Sequence, residues 1–291
     1  MQRALPYFLS LPALLVCIGI LVPFFIAVSY SMMRFRLNLP QLKGFIWLRN
    51  YVDFASDAAF WHTLWVSLSY AVLTVGLELL LGLAIALLLQ KSTRLNNFVS
   101  IILLLPLMTA PSLAALMWKL MTNPNFGILS YFVSLLGFND FKWASDPSTA
   151  LFTVVLVDIW VYTPFIMILL LAGLRALPKQ PFEASALDNV PPSFVFFRIT
   201  LPMLMPYILT ATLFRLLDSI QQFDIIYAMT QGGPGNSLVV FQVQAYLEFF
   251  QYTNVGRSAA LMVILWAITY GLSHVFIKQW LRLRERAQGL T

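Results

Sequence analysis

The chain has 291 residues, of which 60% are hydrophobic and only 10% are charged, and its mean hydropathy is +0.80. A soluble domain has about 45–50% apolar and about 25% charged residues, so this composition excludes an ordinary soluble globular protein. The formal net charge is +6, but the basic residues occupy short gaps between apolar runs, which argues against nucleic-acid binding. The single cysteine, Cys17, excludes a disulfide framework within the chain.

Six apolar segments are long enough to cross a bilayer, because a spanning helix needs about 20 residues at a rise of about 1.5 Å per residue. The predicted spans are Tyr7–Met32, Phe60–Leu89, Phe98–Trp118, Ala150–Leu174, Leu201–Ile226 and Ser258–Ile277. Backbone groups in lipid must be satisfied within their own segment, so the spans are predicted to be helices. We interpret the first as a retained span, since no charge occurs from Ala4 to Met33. The predicted fold class is an all-α integral membrane protein.

The distribution of basic residues predicts the orientation of the spans. One side carries Arg3, Lys91, Arg94, Arg175, Lys179, Arg198, Lys278, Arg282, Arg284 and Arg286. The other side carries Arg34, Arg36, Lys43, Arg49, Lys119, Lys142 and Arg257, spread over longer loops. The first side is therefore predicted to be cytoplasmic, with both termini inside.

The predicted organisation has three parts, which are the N-terminus with the first span (1–33), an external loop (34–59) and a five-span core (60–291). The core includes an inward loop at 175–200, an external loop at 227–257 and a cytoplasmic tail at 278–291.

The inward loop contains a short helix with clear start and stop signals. From Leu177 to Pro202 the chain reads LPKQPFEASALDNVPPSFVFFRITLP. Pro181 can open a helix, and Glu183 then lies near the positive end of its dipole, while two further prolines end it. This pattern alone is compatible with a docking helix for a soluble partner and with an ordinary interfacial connector.

The same loop resembles the EAA motif of binding-protein-dependent ABC importer permeases. The matching residues are Glu183, Ala184, Ser185, Ala186, Leu187 and Asp188, followed by Ile199, Thr200, Leu201 and Pro202. Asn189 stands where members of the family usually have glycine, and asparagine tolerates left-handed backbone angles better than most residues. The resemblance implies the type I importer permease (MetI-like) fold. It also implies that Pro181–Val190 forms a coupling helix to an ATPase subunit, with Glu183 as the anchoring acid.

A second stretch is similar to MalF-type carbohydrate-uptake permeases. From Phe214 to Ser237 the chain reads FRLLDSIQQFDIIYAMTQGGPGNS, and the matching residues are Phe223, Asp224, Thr230, Gly232, Gly233 and Pro234. The glycines and the proline predict a turn on physical grounds alone. The resemblance implies that this external turn, Thr230 to Pro234, meets a solute-binding protein.

The resemblance further implies a set of partners and a location. The partners are a second, MalG-type permease subunit, two copies of an ATP-binding subunit, an extracytoplasmic solute-binding protein and membrane lipid. The location is the bacterial or archaeal cell (inner) membrane. The chain lacks the Gly-rich loop with Lys and Ser or Thr that cradles phosphates, so ATP and magnesium are expected on the partner ATPase. No enzymatic activity, cofactor or metal site is predicted in this chain, which would import a sugar or related polyhydroxyl solute by alternating access.

Five polar residues at the end of the fifth span are candidates for the solute path, namely Arg215, Asp218, Gln221, Gln222 and Asp224. Arg215 and Asp218 are three residues apart and can pair on one helix face. Gln222 lies four residues past Asp218 and is predicted to share that face. Amide and carboxylate groups suit hydroxyl-rich solutes, because they offer donors and acceptors. The pair is compatible both with solute contact and with helix packing.

Two further acids lie within predicted spans, Glu78 and Asp158. Ionisable groups in a membrane are costly and face protein or water. Each acid is compatible with an interhelix hydrogen bond or with a proton site, and the latter would make the chain an ion-coupled secondary transporter. The sequence does not identify the solute.

Overall fold

The computed structural model describes residues 5–287, and its side chains are described for residues 11–282. The helices are α1 (Leu5–Ser31), α2 (Arg49–Ala55), α3 (Ala58–Leu88), α4 (Arg94–Leu103), α5 (Pro111–Met121), α6 (Ile128–Leu135), α7 (Pro147–Ala176), α8 (Gln180–Leu187), α9 (Pro192–Val195), α10 (Leu201–Ile220), α11 (Asp224–Thr230), α12 (Phe241–Tyr246) and α13 (Val255–Ala287). Strands β1 (Met33–Arg34) and β2 (Gly44–Phe45) pair antiparallel. The predicted helical class is confirmed. Arg3, Arg284 and Arg286 lie outside the described side chains.

The described residues contain five helical stretches that are long and apolar enough to cross a membrane. They are Leu11–Ser31, Ala58–Leu88, Pro147–Ala176, Pro192–Thr230 and Val255–Arg282. These stretches cover the first, second, fourth, fifth and sixth predicted spans.

The third predicted span, Phe98–Trp118, is broken into α4, a 3₁₀ turn at Pro106–Met108 and α5. Pro106 and Pro111 lie at the break, because proline lacks the N–H for a helical hydrogen bond. Proline also disfavours helical angles in the residue before it, which applies here to Pro111. Ala110, before Pro111, accordingly has extended backbone angles.

The prediction of one helix through Ile226 in the fifth span is wrong. Helix α10 ends at Ile220, and α11 begins at Asp224 after a three-residue interruption. At its other end α10 follows α9 through a π-helical turn, Phe196–Thr200. The interruption contains Gln221 and Gln222, so the apolar run is also broken there in the sequence.

The described residues form two compact units. The first combines residues up to Thr63 with Phe241–Ile268, and the second combines Leu64–Val240 with residues from Thr269 onward. In the first unit, the chain after α1 pairs with the chain before α13. Leu37 donates its backbone N–H to Thr253 at 2.9 Å, and Gly256 donates to Phe35 at 3.1 Å.

The apolar core of the second unit lies where α3, α7 and α10 pack together. It contains Ala86, Leu89, Ile166, Met167, Leu170, Leu171, Leu174, Leu204 and Ala211. Two glycines allow this close packing. A Cβ at Gly82 would lie 2.7 Å from Ile166 Cγ2, and a Cβ at Gly173 would lie 2.6 Å from Tyr207 Cγ. Small residues at such points are typical of helix contacts in membranes.

Helix α7 begins at a capping aspartate, Asp146. One carboxylate oxygen accepts a hydrogen bond from the Ser148 hydroxyl at 2.6 Å and another from the Ser148 backbone N–H at 2.9 Å. These two hydrogen bonds hold the pKa of Asp146 below its usual value, because they stabilise the charged form. The cap satisfies one of the free N–H groups at the start of α7.

Candidate functional site

Arg215 lies at the centre of a cluster of charged side chains in the second unit. Its Nε and Nη2 bond the two carboxylate oxygens of Glu78 on α3, at 2.6 and 2.9 Å. Nη2 also bonds Asp158 on α7 at 2.6 Å, and Nη1 bonds Asp218, three residues along α10, at 2.5 Å. The guanidinium therefore joins three helices through four hydrogen bonds.

Burial explains why Arg215 needs this number of partners. Its side chain is 1% exposed, and those of Glu78 and Asp158 are 0% exposed. A buried charge is costly unless it is paired and hydrogen-bonded, and a guanidinium has five N–H donors to satisfy. The forked, two-bond contact with Glu78 is the strong geometry for an arginine–carboxylate pair.

Two further side chains complete this cluster. Gln222 donates from Nε2 to Asp158 at 3.3 Å. The ring of Tyr162, one turn after Asp158, lies 4.1 Å from the guanidinium carbon, a cation–π distance. We refer to Arg215, Glu78, Asp158, Asp218, Gln222 and Tyr162 as the Arg215 network.

A hydroxyl pair continues the contact between α3 and α10. Thr74 Oγ1 and Ser219 Oγ are 2.8 Å apart and buried. Thr74 is one helical turn before Glu78, and Ser219 is one turn after Arg215. The two contacts between α3 and α10 therefore follow one another in antiparallel order. The pairing fixes the register of α3 against α10.

The network places Glu78 and Asp158 in contacts of the interhelix kind. Both carboxylates bind Arg215 from different helices, which is the interhelix role. Asp218 is different, because its side chain is 55% exposed although it also binds Arg215. Among the described residues no group of three His, Cys, Asp or Glu side chains could hold a metal ion.

The structure brings together three of the five predicted solute-path residues, Arg215, Asp218 and Gln222. The argument that Gln222 shares a helix face with Asp218 is wrong, because α10 ends at Ile220, yet Gln222 is buried and reaches Asp158. Gln221 is exposed and donates to the Leu217 carbonyl of its own helix at 3.1 Å. Asp224 is exposed in the first turn of α11.

Sequence reasoning missed Tyr162 as a member of the network. It lies four residues after Asp158 on α7, so the two side chains share a helix face. The available signal was an aromatic residue one helical turn from an intramembrane acid. The arginine that both side chains contact is 53 residues from Tyr162 and 57 residues from Asp158 in sequence.

Helix α8 stands between two of the membrane-length stretches, and most of its surface is exposed. Glu183 lies in its first turn, as predicted. Glu183, Ala184, Ala186, Leu187, Asp188 and Asn189 are exposed, whereas Ser185 is buried and donates to the Phe182 carbonyl at 2.8 Å.

Asn189 ends α8 in the left-handed conformation, with φ of 47°. Val190 donates to the Ser185 carbonyl at 3.0 Å, and Asn189 donates to the Ala186 carbonyl at 3.3 Å. This pair of hydrogen bonds is the Schellman arrangement, which glycine most often completes. The expectation that asparagine preserves the bend is confirmed.

The segment from Thr230 to Pro234 forms the predicted turn. Gly233 donates to the Thr230 carbonyl at 3.0 Å, and Leu238 donates to the Gly232 carbonyl at 3.0 Å. Gly232 has a φ of 93°, a backbone angle that favours glycine. The turn follows α11, which packs against α5 and α7.

Comparisons with known proteins agree with this architecture. Two solved structures share the fold, at 18% and 16% sequence identity. One is a bacterial ABC transporter that imports the acidic polysaccharide alginate, with a TM-score of 0.83 over 97% of this chain and 96% of that chain. The other is an alginate ABC transporter in complex with an alginate pentasaccharide-bound periplasmic protein, with a TM-score of 0.78 over 94% and 93%.

Relatives of known name match almost the whole chain. The trehalose/maltose transport system permease protein MalF of Thermococcus litoralis is 32% identical over 95% of this chain and 94% of its own. The sn-glycerol-3-phosphate permease protein UgpA of Pectobacterium atrosepticum is 30% identical over 92% and 91%. The sulfoquinovosyl glycerol permease protein SmoG of Agrobacterium fabrum is 30% identical over 95% and 90%.

A family model described as the inner membrane component of binding-protein-dependent transport systems matches residues 78–286. The match contains the Arg215 network, α8 and the turn at Thr230–Pro234. Members of this family are permeases rather than enzymes, and the match leaves no support for an ion-coupled secondary transporter. The chain belongs to the binding-protein-dependent ABC importer permeases.

Proposed function

We propose that this chain is one of two permease subunits of an ATP-driven importer for a carbohydrate or related polyhydroxyl solute. It pairs with a second permease, two ATPase copies and an extracytoplasmic binding protein, and ATP and magnesium bind to the ATPase copies. Its own task is to line part of the solute path and to transmit the motion of one ATPase subunit through α8.

The exposed surface of α8 carries this proposal. Leu187 is 85% exposed and lies between exposed Ala186 and Asp188, outside the membrane-length stretches. An isolated helix of this length would not be stable in water, yet α8 is closed by a left-handed cap at Asn189, and Ser185 is buried. An ordered helix with an exposed surface is suited to bind a partner protein, because rigid elements give precise contacts.

A polar contact supports the cytoplasmic placement of this end of the protein. Arg175, in the last turn of α7, donates to the Leu89 carbonyl at 3.0 Å and to the Asn97 side chain at 3.1 Å. It therefore joins the ends of α3 and α7 to α4, next to Lys91 and Arg94. This group of basic residues is what the positive-inside rule expects on the cytoplasmic side.

The charges of the Arg215 network favour a neutral solute. Arg215 is the one basic residue among the solute-path candidates, and its guanidinium is occupied by three carboxylates. It therefore offers no free positive charge to an anion. The half-exposed Asp218 instead offers acceptors to hydroxyl groups. The relative named for trehalose and maltose fits a neutral solute, whereas those named for sn-glycerol-3-phosphate and sulfoquinovosyl glycerol are named for anionic solutes.

The test is co-purification of the ATPase from mildly solubilised membranes, combined with ATP hydrolysis stimulated by the binding protein. We expect Glu183→Ala to lose most of the stimulated hydrolysis and part of the co-purified ATPase, because the family resemblance makes Glu183 the anchoring acid of α8. The matched control is Gln180→Ala, which alters an exposed residue one turn earlier on the same helix.

The two variants separate the proposal from a trivial loss of fold. Glu183 is exposed, so its replacement is expected to leave the thermal unfolding temperature unchanged. The proposal is contradicted if the ATPase does not co-purify with the wild type under any mild detergent. It is equally contradicted if both variants retain full stimulated hydrolysis.

A further inference from the structure

The first unit contains a pocket of about 370 Å³ that is rich in arginine. Its lining includes Arg34, Arg36, Arg49 and Arg257, together with one acid, Asp53. These four arginines are more than half of the seven basic residues that the sequence assigns to the external side. A pocket of this size falls within the range of small-ligand sites, about 300–1,000 Å³.

Three carboxylates pair with only two of the four arginines. Asp53 lies 3.5 Å from Arg49. Arg257 contacts Glu248 at 2.9 Å and Asp57 at 3.8 Å.

The other two arginines of the pocket are Arg34 and Arg36. Among the described residues, Arg34 and Arg36 form no ion pair, and both are exposed. The pocket thus holds two guanidinium groups whose charge no carboxylate neutralises.

The backbone directs these two arginines toward one side of the chain. Arg34 ends β1, and Arg36 forms an antiparallel bridge with Asn254. Residues two apart in extended chain point to the same face, so both side chains lie on the pocket side. The Asn50 amide donates to the carbonyls of Ser31 and Met33 at 2.8 and 3.1 Å, which fixes this segment to the end of α1.

The pocket lies at the level where two membrane-length stretches end. One stretch ends at Ser31, three residues before Arg34, and the other begins at Val255, two residues before Arg257. The ends of such stretches lie among the lipid headgroups. The final turns of α1 expose Val22, Phe25 and Ile26, an apolar surface that suits acyl chains.

We infer that this pocket binds the phosphate of an anionic phospholipid headgroup through Arg34 and Arg36. The planar guanidinium matches phosphate geometry and donates two hydrogen bonds at once. Basic pockets between membrane helices on the cytoplasmic side bind anionic headgroups, and the same pairing of guanidinium with phosphate applies at the external end of α1. The bound lipid would hold the segment between α1 and α2 at the membrane surface. This role is independent of ATP coupling and of solute choice.

The test uses the chain co-expressed with its partner subunits and purified in detergent. Phosphatidylglycerol, phosphatidylcholine or inorganic phosphate is added in separate titrations, and bound lipid is counted by native mass spectrometry. We expect phosphatidylglycerol to bind more tightly than phosphatidylcholine. Arg34→Gln and Arg36→Gln should each weaken its binding about fivefold, from the attraction of one basic residue to an anionic surface.

The matched control is a variant that loses two basic residues outside the pocket, Lys119→Gln with Lys142→Gln. It should bind phosphatidylglycerol as the wild type does. Equal binding of the two lipids overturns the inference, and so does unchanged binding in both arginine variants. Displacement of phosphatidylglycerol by inorganic phosphate at equal concentration identifies a soluble oxyanion as the occupant and also overturns the lipid assignment.

Discussion

The Arg215 network and helix α8 belong to the same unit and use charged residues in opposite ways. In the network, buried charges find their partners within the chain, since Arg215 binds carboxylates on α3, α7 and α10. In α8, Glu183 and Asp188 are exposed, and Leu187 projects an apolar side chain out of the unit. The comparison separates residues that hold the fold together from residues that are available to a partner.

This difference predicts two kinds of variant. A change in the network should lower stability first and impair activity through that loss. A change on the exposed face of α8 should impair coupling at unchanged stability. Measurements of thermal unfolding and of stimulated ATP hydrolysis on the same preparations distinguish the two kinds.

Replacement of the arginine should give the largest effect. Arg215→Leu leaves two fully buried carboxylates without their cation, and breaking a buried pair in this way costs about 3–5 kcal/mol. We expect a lower unfolding temperature and a poor yield of assembled complex, measured by thermal denaturation and size-exclusion chromatography. Arg198→Leu, at an exposed position, is the control.

A compensated variant tests whether the unpaired charges are the cause. Arg215→Leu combined with Glu78→Gln and Asp158→Asn removes the buried charges together. Such replacements of whole ion clusters are often neutral or even stabilising. We expect most of the lost stability to return. If the triple variant unfolds as readily as the single one, packing of the guanidinium is the main contribution and the electrostatic account is wrong.

The second largest effect should come from α8. Leu187→Ala removes an apolar side chain that is 85% exposed, so the unfolding temperature should not change. Burial of a leucine at an interface contributes about 1.5–3 kcal/mol, which is tenfold or more in ATPase affinity. Titration of the purified ATPase measures this loss. Leu136→Ala, at another exposed position, should leave the affinity unchanged, and equal losses would refute a specific contact.

The sequence predicted α8 more completely than it predicted the network, and the reason is the range of the interactions. Pro181, Asn189 and the prolines at 191 and 192 act on their own neighbours, so the helix and its left-handed end follow from local rules. The pairing of Arg215 with Asp218 is also local, at three residues apart.

The rest of the network could not be predicted. Glu78 is 137 residues from Arg215, and Asp158 is 57 residues away, so only helix packing identifies them as partners. Several intramembrane acids were equally compatible with the arginine until the packing of α3 and α7 was known. The end of α10 at Ile220 was also missed, although polar residues follow it, because the position of a helix end depends on contacts with other helices.

A smaller effect is expected at the end of α8. Asn189→Ala forces a residue with a Cβ and no compensating amide into a left-handed conformation, which costs about 1 kcal/mol relative to glycine. Asn189→Gly should equal or slightly exceed the wild type in unfolding temperature. If alanine and glycine behave alike in both unfolding and stimulated hydrolysis, the bend after α8 does not matter for its position.

A small change in stability is expected at Asp218, which belongs to the Arg215 network but is exposed like the residues of α8. Asp218 binds buried Arg215, yet its side chain is 55% exposed, so Asp218→Asn should cost at most about 1 kcal/mol. We expect solute uptake in proteoliposomes to fall by more than this loss explains, because the exposed carboxylate is one of the candidate solute-path groups. Asp140→Asn, an exposed acid away from the network, is the control. Unchanged uptake would assign Asp218 to packing alone, and the Arg215 network would then be purely a device for holding helices.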